Sequence, residues 1–207
     1  MTRERSRRIL LGLGAARALL YVIAIPLAPL LYADHFLALV VLRPTKEVFV
    51  AAGFALRQGE IGLLELTAAA VPLSVLGVWL FFFLGRAYSS EIRGNRLGGI
   101  AGRLLRSEKI NDAAKILRKK GDRLIVLGRM ALVASTPIAA AAGTIKLAIG
   151  RFLRADGAGA LISFVVSVSA GYALGEAYEQ AGPWLTALAA AALLTLTVLA
   201  GVYIKRS

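Results

Sequence analysis

Four apolar runs, each about 20 residues long, constrain this chain more than any other feature. At about 1.5 Å per residue, a helix of that length matches the hydrocarbon layer of a bilayer. A spanning segment must satisfy its backbone amides internally, which for such runs means an α-helix. The runs cover residues 9–33, 61–85, 156–178 and 184–204. A hydrophobic content of 58% and a mean hydropathy of +0.71 agree with them. The expected fold is an all-α polytopic membrane protein with a single membrane domain.

Two further apolar segments are interrupted. In "ADHFLALVVLRPTKEVFVAAGFALRQGE" the break is Arg43, Pro44, Lys46 and Glu47. In "LGRMALVASTPIAAAAGTIKLAIGRFLR" it is Ser135, Thr136 and Pro137, with Arg129 before it and Lys146 after it. Each flank is too short to cross alone. The reading is two re-entrant helical hairpins, an outer one at 35–58 and an inner one at 124–150, beside four transmembrane helices.

Charge placement fixes the expected orientation. Arg3, Arg5, Arg7, Arg8, Arg151, Arg154, Lys205 and Arg206 flank spans, and residues 86–123 carry 11 Lys/Arg against 4 Asp/Glu. If both hairpins return to their own side, all of these basic segments share one face, the cytoplasmic one by the positive-inside rule. Both termini are then cytoplasmic. The net charge of +13 is explained by lipid headgroups and not by nucleic acid. The run from residue 9 to 32 exceeds a signal-peptide core, so a retained first helix is expected, with Pro26 and Pro29 kinking or ending it late and Arg17 snorkelling. Within the basic segment, "SEKINDAAKILRKKG" reads as an amphipathic helix with Ser107 as N-cap, stopped at Gly121 and lying on protein or on the membrane surface.

An offset of 90 residues relates the two halves. Ala51, Ala52 and Gly53 recur as Ala141, Ala142 and Gly143, and "LGRAY" at 84–88 recurs as "LGEAY" at 174–178. There are 12 identities over residues 51–88, where composition alone gives roughly four. With the hairpins placed as above, the repeat is inverted, an arrangement in which broken helices meet around a substrate.

The second unit resembles the DedA family, also called SNARE-associated or VTT-domain proteins. The matching residues are Arg129, Gly143, Phe152, Gly171, Tyr172 and Gly175, with Pro44 and Gly53 in the first unit. The resemblance covers about residues 35–180 and departs in two places. Lys46 stands at the family's acidic position with Glu47 beside it, and Ser135 stands at its second arginine, the proline being displaced to Pro137. The resemblance implies movement of lipids across a bilayer: recycling of undecaprenyl phosphate and proton-dependent membrane homeostasis in bacteria, and phospholipid scrambling in eukaryotic relatives.

An ionisable residue inside a membrane fold is expensive, which makes each one a candidate site. Arg129 can grip a phosphate through paired hydrogen bonds, and Arg43 and Lys46 can attract anionic headgroups. Glu47 can exchange a proton or pair with Arg129. Pro44, Ser135 and Pro137 mark the breaks, Gly53 and Gly143 close packing, Asp156 a helix cap, and Glu65 a carboxylate buried or near the outer surface. Without cysteine, with His35 the single histidine and with no acidic pair at metal spacing, no metal or other cofactor is expected. The expected function is a flippase or transporter of a lipid phosphate in the bacterial cytoplasmic membrane, not an enzyme. Its partners are membrane lipids, and a homo-oligomer is compatible with it. A non-transporting scaffold and a lipid phosphotransferase or phosphatase are the alternatives.

Overall fold

A computed structural model describes residues 3–130 and 135–176. These residues are all-helical, with no strand among them. In chain order the helices are α1 (Arg3–Asp34), α2 (Phe36–Leu42), α3 (Lys46–Arg57), α4 (Leu63–Ala87), α5 (Ser89–Arg93), α6 (Gly99–Leu104), α7 (Ser107–Lys120), α8 (Arg123–Met130), α9 (Ser135–Thr144) and α10 (Ile149–Glu176). Three of them, in α1, α4 and α10, are long and apolar enough to cross a membrane. Leu19, Leu30, Leu64, Val166 and Leu174 face outward on these helices, a distribution that suits lipid and not water. The run expected to span at 184–204 lies outside the described residues.

Local chemistry accounts for most boundaries. α1 continues through Pro26 and Pro29 to Asp34 instead of ending there, an interruption tolerated where neighbouring groups satisfy the freed carbonyls. Glu65, in the first turn of α4, accepts the Gly62 amide at 3.3 Å on an exposed surface, so it supports a helix start. Ser107 is the first residue of α7 and Arg106 its N-cap, one position earlier than the sequence suggests. Gly121, at φ +63°, ends that helix. α7 buries Ile110, Ala114 and Leu117 against α9 and α4, and so lies on protein. α10 begins seven residues before the expected 156, which puts Asp156 two turns inside the helix and not at its cap.

The broken segments hold the fold together. α2 and α3 are separated at residues 43–45, and they pack with α4 and α10 around Leu39, Val40, Phe49, Leu66 and Phe164. α9 packs most extensively on α4, and a further cluster joins Phe82, Ile138 and Phe152, the last two phenylalanines stacked at 4.2 Å.

Two close crossings fix these contacts. A Cβ added to Gly143 would overlap the Phe82 carbonyl, and one on Gly85 would overlap that of Ala140. Likewise, a Cβ on Gly53 would overlap the Val168 carbonyl, and one on Gly171 that of Val50. Small residues are what allow two membrane helices to approach so closely. The broken-segment partners, 50 and 140 or 53 and 143, differ by 90, as the repeat predicts. Their long-helix partners, 82 and 168 or 85 and 171, differ by 86. The structural counterpart of Gly85 is therefore Gly171 and not Gly175, a shift of about one helical turn from the best sequence match.

Candidate functional site

The first break and the two described arms of the second interrupted segment meet at one cavity of about 610 Å³. Pro44, Thr45, Lys46 and Glu47 reach it from the first, Arg129 from the end of α8, and Ser135 and Thr136 from the start of α9. Ser135, Thr136 and Pro137, expected to break the second segment, are instead the first turn of α9, and residues 131–134 before them lie outside the described residues. The rest of its wall comes from α1 (Arg17, Ala18, Tyr21, Val22), α4 (Ser74, Gly77, Val78, Phe81), α10 (Ala160, Ser163) and Phe49. Three cations and one carboxylate, Glu47, thus line a mostly apolar chamber.

Arg129 is the most constrained of these groups. Its Nε donates to Asp156 Oδ1 at 2.8 Å and its Nη2 to Oδ2 at 2.7 Å, a fork on a carboxylate whose side chain is 2% exposed. Nη1 and Nη2 also donate to the Ser74 carbonyl at 3.3 and 3.2 Å. The Trp79 indole donates to Asp156 Oδ2 at 3.1 Å. Arg129 therefore ties α8 to α4 and α10. Of its five guanidinium hydrogens, these four bonds leave one for a ligand. Gly159 makes room for it, since a Cβ there would come within 3.0 Å of the Arg129 Cβ.

Arg17 is a cavity residue that sequence reasoning left at the membrane surface. Its Nη1 donates to the Leu42 carbonyl at 3.2 Å, satisfying an orphan acceptor at the end of α2. Its guanidinium lies over Gly77 of α4. Beyond the same break, α3 starts at Lys46, and the Thr45 side chain at the cap position makes no cap hydrogen bond to the helix. Thr45 lines the cavity together with Glu47, the acidic residue in the first turn of α3. A carboxylate there suits the helix start and offsets part of the charge of the neighbouring Lys46.

The remaining expected residues fall outside the chamber. Arg43 lies over the Tyr21 ring, 5.2 Å from its centre, in a side pocket that Glu47 also lines. Pro137 is the third residue of α9 as described and faces a different cavity. Gly53 and Gly143 belong to the crossings. Lys146 is exposed in the turn after α9, in a left-handed conformation with φ +58°. Among the described residues no group of three or more His, Cys, Asp or Glu side chains could hold a metal ion.

Trp79, Ser74 and Asp156 were missed as partners of Arg129, and the signal available for them was weak. Arg129 and Asp156 are 27 positions apart, with α9 and the start of α10 between them, and no local spacing predicts that they meet.

No family model and no solved structure matches the chain. Two proteins named "Alkaline phosphatase-like protein", from Lactococcus lactis subsp. cremoris (strain MG1363) and subsp. lactis (strain IL1403), are each 32% identical to it over 139 residues. The similarity spans 66% of this chain and 65% of each relative, a little less than two thirds of their length.

Proposed function

We propose that this chain moves a lipid phosphate, either undecaprenyl phosphate or a phospholipid, across the membrane by alternating access at the cavity between its two broken segments. The observation that carries this reading is the convergence of both interrupted segments on one chamber lined by Arg17, Lys46 and Arg129. A phosphate is the ligand that such a set suits, since charge-assisted hydrogen bonds from cations stabilise it in a low-dielectric site. The apolar remainder of the wall accommodates the start of a lipid chain. In this reading the halves form an inverted repeat, the resemblance to the DedA family extends to its activity, and Glu47 exchanges the coupling proton.

Purified protein in liposomes, with labelled lipid phosphate on one leaflet and a pH gradient set or collapsed, tests it. Arg17→Gln combined with Lys46→Gln should slow transbilayer movement roughly tenfold or more, on the scale of two lost charge-assisted contacts. Glu47→Gln should remove the dependence on the gradient. Parental rates in both variants, with normal folding, would sink the reading.

The name of the two relatives favours a second reading, hydrolysis of a phosphate ester. Release of inorganic phosphate from a lipid phosphate by the reconstituted protein, without net movement of lipid, would favour that reading over transport.

A further inference from the structure

Beside the main chamber lies a second cavity of about 240 Å³. The two share a wall, because Phe81 of α4 and Thr136 of α9 line both. Arg106 and Lys109, at the start of α7, also line the smaller one. Both are exposed, and neither makes an ion pair with a described residue. They do not serve α7 itself, since cations at the N-cap and in the first turn oppose the helix dipole. The remaining lining, which includes Leu104, Leu105, Ile110 and Pro137, is largely apolar.

We propose that this smaller cavity is a vestibule for an anionic lipid: Arg106 and Lys109 hold the phosphate, the apolar lining takes the adjoining chain, and Phe81 with Thr136 gates passage to the main chamber. The inference rests on the reading of that chamber as a lipid-phosphate site. It adds a capture step on the basic face and a named gate. A free phosphate ion suits the vestibule poorly, because it would desolvate beside apolar groups that an acyl or prenyl chain would cover.

Full-length protein in phosphatidylcholine nanodiscs doped with photoactivatable phosphatidic acid tests the capture step. Arg106→Gln with Lys109→Gln should lower crosslinking roughly tenfold or more, given the attraction of each surface cation for an anionic lipid. Arg118→Gln with Lys119→Gln removes the same charge from the other end of α7 and should leave crosslinking near the parental yield. An equal loss in both double variants would mean general surface attraction and overturn the vestibule, as would equally effective competition by inorganic phosphate.

The gate has its own readout, because the chain contains no cysteine and Thr136→Cys is a unique label site. Phe81→Leu should speed labelling by a bulky thiol reagent, and Phe81→Trp should slow it. Unchanged rates in whichever of these variants folds would overturn the gate. Failure of the two proposals is separable. If Arg17→Gln with Lys46→Gln and Glu47→Gln both transport at the parental rate while the Arg106/Lys109 variant loses capture, the chamber reading falls and the capture site stands. The reverse pattern removes the vestibule alone.

Discussion

Under the first broken segment Leu39 packs with Leu66 and Ala70 in an apolar cluster. Under the second, Arg129 is forked onto Asp156. The offset of 90 residues carries Leu39 onto Arg129 and Leu66 onto Asp156, and the offset of 86 carries Ala70 onto Asp156. The glycine crossings recur in both halves, whereas the interior beneath them is dry in one and ionic in the other. A crossing needs only small residues at two positions, so it survives divergence of the surrounding side chains. A buried ion pair is a poor device for stability, because desolvation offsets its attraction.

Breaking the asymmetry gives the largest expected effect. Asp156→Asn or Arg129→Leu alone should destabilise the protein by about 3–5 kcal/mol, since each leaves an uncompensated buried charge. Arg129→Leu combined with Asp156→Leu copies the first half and should recover most of that loss, while the transport proposed above stays impaired. Unfolding in detergent, read beside transport in liposomes, checks both. A double variant no more stable than the singles would show that the halves are not interchangeable inside.

The shared crossings come next. Gly53→Ala and Gly143→Ala each push a methyl into a backbone carbonyl and should cost about 1–3 kcal/mol, by similar amounts if the crossings are equivalent. A large cost at one and none at the other, in thermal unfolding, would break the equivalence.

The turns that follow the two broken segments also differ. After α3 the left-handed position is Gly59, at φ +74°, while after α9 it is Lys146, at φ +58°. A residue with a Cβ is strained there, so Lys146→Gly should stabilise by up to about 1 kcal/mol. Gly59→Ala should do the opposite, and denaturant titration of both resolves the sign.

The smallest effect concerns the contact between α1 and α5. Arg7 donates to Glu91 at 2.8 Å, and Ser90 donates to the same carboxylate at 2.7 Å. The Ser90 hydrogen bond first, then those from the Glu91 backbone and Arg7, hold the Glu91 carboxyl below its ordinary range against partial desolvation. A lowered folded-state value means stability that is present above the unfolded value and lost as pH falls through the folded one. For a partly exposed pair this is under about 1 kcal/mol. Glu91→Gln should therefore remove that contribution at neutral pH, flatten the acid limb of the stability profile and match the parental protein at its acid end.

Much of the scaffold was legible in the chain. Length and hydropathy gave the spans at 61–85 and near 9–33, and Pro44 with its charged neighbours gave the break between α2 and α3. "SEKINDAAKILRKKG" gave α7 to within one residue, because capping and amphipathic spacing are local. The site was legible in part. Arg129, Lys46, Glu47, Pro44 and Ser135 were marked as unusual for a bilayer, and they line one cavity. Arg17 was not singled out, because a basic residue near the start of an apolar run reads equally well as an interfacial anchor. Asp156 looked like a cap because the apolar run begins just after it, whereas α10 continues back through Arg154 and Arg151 to Ile149.

By itself the sequence determined the all-helical class, the three described spans, the first interruption and the 90-residue repeat, all properties of composition and short-range period. Only the tertiary structure decided that the two interrupted segments share a chamber, that Asp156 and Trp79 hold Arg129, and that Gly85 corresponds to Gly171. Those facts depend on which helix faces which and on a one-turn slip between them. The sequence cannot distinguish such a slip, because one helical turn returns the same face.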